Sequence, residues 1–177
     1  MSALKPAPDL NVSHWFNTDA PSNLATLKGS VVVLTAFQMR CPGCVAQSLP
    51  QAQRVREVFH ERDVAVIGLH SVFEHHSAMA PDALEAFLHE YRIGFPVGVD
   101  RASESGAIPF TMKAYAMQGT PTTILIDRAG RLRRQRFGHD GNLRLGADIM
   151  ALIGEGLSGA VAGAGESGAV CTPAGCN

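Results

Sequence analysis

The chain has 177 residues, 46% hydrophobic and 18% charged, which is enough for one sizeable core and too few for two ordinary domains. Lys and Arg number 15 against 16 Asp and Glu, a formal net charge of -1, so charge points to no nucleic-acid partner, and the basic run RLRRQR at 131–136 reads as a solvated strand face. Four cysteines fall into two close pairs, Cys41 with Cys44 and Cys171 with Cys176, too few and too clustered for a disulfide-stapled secreted scaffold.

In chain order, MSALKPAPDLNVSHWF opens with prolines and polar residues where a signal peptide needs about 7–15 apolar ones, and no run reaches the roughly 18 apolar residues of a membrane span. The expectation is a cytoplasmic protein with no membrane partner; a chain already relieved of a leader would read the same. VVVLTAF at 31–37, VAVIGL at 64–69 and TTILI at 122–126 are β-branched apolar runs with almost no alternation, as central strands buried on both faces require. Between the first two, Val45, Leu49, Ala52, Val55 and Phe59 recur at steps of three and four, one face of a helix. Pro42 suits its first position, whereas Pro50 removes a backbone donor and predicts a bend. Pro81 and Asp82 open a helix carrying Leu84, Phe87, Leu88 and Tyr91. FPVGVD at 95–100 reads as a strand, FTMKAYAM at 110–117 as a short helix, DRAG at 127–130 as a hairpin turn and LRLGADIMALI at 143–153 as the last helix. Alternating strands and helices imply a mainly parallel α/β sheet with an antiparallel hairpin near its end. Residues 1–154 form the expected domain. From 155 to 177 the Gly/Ala-rich texture predicts a flexible tail ending in a Cys pair.

FQMRCPGCVAQSLP at 37–50 carries the chemistry. A strand feeding a helix at Cys41 puts that sulfur at a helix N-terminus, where unpaired N–H groups and the macrodipole favour thiolate over thiol. Cys41 is therefore the expected nucleophile. Lowering its pKa from about 8.5 to about 7 yields only a few-fold net gain at neutral pH, because a less basic thiolate is also less reactive. The spacing matters more: Cys44, one turn on, attacks the mixed disulfide intramolecularly. Arg40 either folds over the sulfur or points to solvent.

These residues resemble the thioredoxin-like superfamily, specifically bacterial redoxins of the TlpA type, which grade into the alkyl hydroperoxide reductase/thiol-specific antioxidant group. The resemblance runs from about Ala7 to Gly154 and rests on LATLKGSVVVLTAF, CPGC, Pro50 and YAMQGTPTTILIDRAGRL in that order. It implies a thioredoxin fold, a central mixed sheet flanked by helices, with an extra helix and strand at 82–100 between the CxxC helix and the cis-proline strand. It makes GTP at 119–121 the cis-proline segment, with Pro121 beside the sulfurs, Thr120 offering backbone groups to an extended substrate, and Arg40 and Pro42 flanking the same groove. The implied activity is thiol-disulfide oxidoreduction, in the disulfide-reductase direction. Its partners would be a protein or small-molecule disulfide and a thiol reductant or reductase, and no cofactor is implied.

The chain also departs from that pattern. Arg40 replaces the tryptophan usual before the first cysteine. Gln47 and Thr35 stand where such proteins carry an acid, and neither exchanges a proton near neutral pH, so a carboxylate shuttle to Cys44 is not expected. Two alternatives come from other classes. A thiol-dependent peroxidase is the runner-up, although Cys41 stands three before Cys44 where a peroxiredoxin has threonine. A metal-binding module would use the Cys pairs with His70, His75 and His76, but the bland reading, satisfied or solvated histidines, is the stronger. CTPAGC at 171–176 reads as a second dithiol, a redox relay on a linker with a reach of roughly 20 Å, or as a self-contained disulfide.

Overall fold

The computed structural model describes residues 4–161 except residue 105, and only the backbone beyond Glu155. The CTPAGC pair, Cys171 and Cys176, lies outside the described residues. Six strands form one sheet: β1 Val12–Phe16, β2 Val31–Phe37, β3 Val64–His70, β4 Val97–Asp100, β5 Thr122–Ile126 and β6 Leu132–Phe137. Their spatial order is β1-β4-β3-β2-β5-β6. Parallel pairing holds only for β2–β3 and β3–β4, while β1–β4, β2–β5 and β5–β6 are antiparallel. The sheet is thus mixed, as the resemblance implies, and not mainly parallel as the strand–helix alternation alone suggests. The connection into β5 is the reason, since it brings that strand back against β2 in the opposite sense.

All seven residues of β2 are buried, because both faces of the sheet are covered. Val31, Val33 and Phe37 pack with Val64, Val66 and Val97 against helices α1 Leu49–Val58, α2 Pro81–Glu90 and α4 Asn142–Val161. Val32, Leu34 and Ala36 face the other way, onto Leu24 and onto Met112, Tyr115 and Met117 in and after helix α3, Phe110–Ala114. Asp100, at the end of β4, holds the start of α3: its carboxylate accepts the Thr111 and Met112 amides at 2.8 and 2.9 Å and the Ser71 hydroxyl at 3.0 Å. Even so, burial raises its pKa above the ordinary carboxylate value.

Two features escape the sequence reading. Strand β1 is a half-exposed edge that lies against Gly98, where a Cβ would stand 2.8 Å from Val12. Helix α4 does not stop at Gly154 but runs on to Val161, so the first residues of the expected flexible tail are helical. Glu155 fastens this part through two hydrogen bonds from Arg133 on β6, and the guanidinium lowers the carboxyl's pKa. The other β6 arginine of this face, Arg134, pairs with Asp140 and Asp148. Among the described residues no helix is long and apolar enough to cross a membrane.

His70 closes β3 with 1% exposure, its ring centroid 5.3 Å from that of Phe37, and its Nε2 has no partner among the described residues. Burial lowers its pKa to about 4, against about 6.5 in an unfolded chain. Between these values the unfolded state binds the extra proton, so stability falls as pH drops through this window. The loss should approach about 3 kcal/mol. Urea titrations from pH 7 to pH 4 should show a flatter decline for His70→Leu than for wild type; parallel curves would contradict this assignment.

Candidate active site

The site forms where β2 ends. After Phe37 the chain turns, the Cys41 amide donates to the Gln38 carbonyl at 3.2 Å, and the helix begins with the Cys41 carbonyl accepting from Cys44 and Val45 at 3.0 and 3.1 Å. Cys41 is thus the residue that caps the helix, with Pro42 at the first helical position as expected. Its sulfur accepts the Cys44 N–H at 3.2 Å, the place a serine or aspartate oxygen takes in an ordinary N-cap. A backbone donor and the positive end of the helix dipole therefore both face Cys41 Sγ.

The two cysteines are free thiols of unequal access: Cys41 is half-buried, and Cys44 is 0% exposed. Burial, and after it the hydrogen bond with Cys41, push the Cys44 thiol up to about 12, against the pull of the Gln38 backbone and the Thr120 side chain. No carboxylate is among these groups. Thr35 is buried on β2 and Gln47 is exposed on the helix, so neither position supplies the acid.

The strand pairing brings in the second half of the site. Ala36 on β2 lies opposite Thr122 on β5, which places Thr120 and Pro121 beside the CPGC turn although they are far away in sequence. The Thr120–Pro121 bond is cis, the Thr120 carbonyl lies 3.5 Å from Cys41 Sγ, and a Cβ on Gly43 would touch the Pro121 ring at 3.5 Å. This segment is pinned from β6 and from within: the Gly138 amide donates to the Pro121 carbonyl at 2.8 Å and the Thr122 hydroxyl to the Gly119 carbonyl at 2.7 Å. Of the expected residues, Cys41, Cys44, Pro42, Thr120 and Pro121 converge. Arg40 is exposed and makes no hydrogen bond or ion pair among the described residues. Cys171 and Cys176 lie outside them. No group of three or more His, Cys, Asp or Glu among the described residues could hold a metal ion.

Two contributors were missed. Gln38 acts through its backbone, which leaves no side-chain signal. Gln51, buried at 4% on α1, donates to the Asp140 carbonyl at 2.7 Å and to Asn142 Oδ1 at 2.8 Å, and so ties the start of α4 to the cysteine-bearing helix. A glutamine on the apolar stripe of α1 was the available clue.

The family model of the AhpC/TSA family matches residues 4–135. The chain is 56% identical to a thioredoxin-like superfamily protein of known crystal structure, with a TM-score of 0.84 over 86% of this chain and 97% of that one. A thiol-disulfide isomerase from Corynebacterium glutamicum is 47% identical, with a TM-score of 0.81 over 84% of this chain and 96% of that one. A thioredoxin family thiol:disulfide interchange protein from Chlorobium tepidum, 18% identical with a TM-score of 0.63 over 86% and 99%, shares the fold. No curated protein matches.

The contrast in access predicts the outcome of alkylation. Iodoacetamide on the native reduced protein should modify Cys41 on the order of a hundredfold faster than Cys44, and the difference should vanish in denaturant. Peptide mapping would expose equal native rates, which would mean that Cys44 is not enclosed.

Proposed function

The chain belongs to the AhpC/TSA family and has the thioredoxin fold, and from that premise we propose that it is a thiol-disulfide oxidoreductase working as a disulfide reductase. The observation that carries this reading is the pairing of a reachable sulfur at a helix N-terminus with an enclosed one directly behind it, next to a cis-proline. The thiol-disulfide isomerase activity named for its 47% identical relative agrees with it.

In this reading Cys41 thiolate attacks one sulfur of a substrate disulfide, forms a mixed disulfide and expels the first substrate thiolate, which takes up a proton. The substrate in this reading lies against Thr120 and Pro121, with Pro42 and the exposed Arg40 proposed to flank it. Cys44 then gives up its proton, attacks Cys41 Sγ and closes the Cys41–Cys44 disulfide, releasing the second thiol. Two electrons have passed to the substrate. A thiol reductant or reductase returns them by the same exchange in reverse, and Cys171 with Cys176 are a second dithiol of the chain that could pass them on. Under a reducing poise CPGC rests as the dithiol, ready for this direction.

Cys44 sets the slow step. Burial is the largest of the causes that push its thiol up to about 12 in the reduced protein, and burial persists when Cys41 is engaged, so the protonated form prevails near neutral pH. Resolution should therefore accelerate about tenfold per pH unit between roughly pH 6 and 9, seen as decay of the mixed disulfide in stopped-flow measurements; a flat profile would mean that deprotonation of Cys44 does not limit it. Cys41→Ser should abolish disulfide reduction, whereas Cys44→Ser should accumulate the mixed disulfide as a stable adduct by mass spectrometry. Peroxide consumption driven by dithiothreitol at a rate above that with disulfides would favour the peroxidase reading instead. In partly oxidised, alkylated and digested protein, a peptide linking Cys171 or Cys176 to Cys41 or Cys44 is expected of the relay, and its absence at every stage of oxidation removes it.

A further inference from the structure

Between the two parts of the cysteine-bearing helix lies a segment wider than an α-helix. Cys44–Ser48 is a π-turn, closed where the Leu49 N–H donates to the Cys44 carbonyl five residues back. The Ser48 hydroxyl donates to the same carbonyl at 3.3 Å. From Leu49 the chain is α-helical to Val58.

This widening decides where Cys44 points. In an unbroken α-helix a step of seven residues is close to two full turns, so Cys44 would fall in line with Gln51. Gln51 is the polar edge of the buried stripe, and its side chain reaches out to Asp140 and Asn142 at the start of α4. A π-turn takes in one residue more than the α-turn it replaces, and one residue is about 100° of rotation. That rotation swings Cys44 away from Gln51 and into the sector between Leu49 and Ala52, both 1% exposed. There Cys44 joins Phe37, Leu49 and Ala52 in one core cluster.

The residues that select the wider turn are local. Pro50 has no N–H to close an α-turn onto the Ala46 carbonyl, and its ring would collide with that carbonyl in α-geometry. Ser48 adds its hydroxyl to the carbonyl that closes the π-turn. We propose that Pro50 and Ser48 are positioning residues for the resolving thiol: by holding the π-turn they aim Cys44 beneath Cys41 rather than toward the start of α4. This deepens the oxidoreductase reading and rests on it.

The test compares the full chain with Ser48→Ala, Pro50→Ala, and Pro50→Ala combined with deletion of Ala46. Two quantities are read on each: the equilibrium constant for oxidation of Cys41 and Cys44 by a glutathione series, and the rate at which iodoacetamide modifies native Cys44. Circular dichroism melting confirms that each is folded. Pro50→Ala should disfavour the Cys41–Cys44 disulfide by about threefold or more and speed alkylation of Cys44 about tenfold, with Ser48→Ala shifting both in the same direction by less. Deleting Ala46 in the Pro50→Ala background should restore both, because an α-turn shorter by one residue aims Cys44 as the π-turn does. Wild-type values in both folded single variants would overturn the proposal, as would a folded deletion variant that stays impaired. Should the deletion variant not fold, the two single substitutions decide. Wild-type protein that never exchanges with glutathione would sink the oxidoreductase reading instead, while the alkylation rates would still report on the turn.

Discussion

The pairing of β2 with β5 is the constraint on which the site depends. β2 is buried end to end, so its only freedom is where it leaves the sheet, and it leaves directly into the helix that bears both cysteines. β5 enters the sheet at the same end, with Thr122 opposite Ala36. One register therefore brings Cys41 to the Thr120 carbonyl and Gly43 to the Pro121 ring. A slip by one residue would turn every β5 side chain to the opposite face and place Ile124 and Ile126 where Leu125 packs. The packing of both cores thus enforces the register, and the register builds the site.

Within that frame the two cysteines are made unlike by position alone. Both belong to one short motif, yet Cys41 caps the helix while Cys44 is rolled under it. The first is half-buried and meets a backbone donor, and the second is enclosed in the core cluster. A carboxylate beside Cys44 would ease its deprotonation, but Thr35 and Gln47 occupy the positions where related redoxins carry one. What faces the sulfur instead is Cys41, the Gln38 backbone and Thr120. Engagement of Cys41 in a mixed disulfide removes its hydrogen bond and its charge from Cys44, and both of these hold the Cys44 proton on. In the proposed reaction, Cys44 is thus released from part of its restraint when Cys41 is engaged.

How much could be read from the sequence follows from what each residue shows outward. β2, β3 and β5 were legible because burial on two faces leaves an apolar run that polar residues cannot imitate. Cys41, Cys44, Pro42 and the Thr120–Pro121 segment were legible from spacing and resemblance. β1 was not, since an edge strand such as VSHWF needs only a partial apolar face. The continuation of α4 was hidden by glycines at 154 and 156 that argue against a helix; Leu152 and Ile153 packed on the core and the grip of Arg133 on Glu155 outweigh that local preference. Pro50 foretold a disturbance of the helix, but sequence alone did not reveal that it takes the form of a widened turn upstream.

The two rims of the sheet have a consequence for the molecule in a crowded solution. On one side β1 is irregular, its pairing with β4 shifting between Val12 and His14, and on the other the start of β6 is covered by the N-terminal segment, the Leu132 amide donating to the Lys5 carbonyl at 3.0 Å, while Arg136 stands exposed farther along. An uneven border and a partly covered, cationic one both make poor templates for a further strand. A sheet bordered in this way is guarded against zipping onto a second copy of itself.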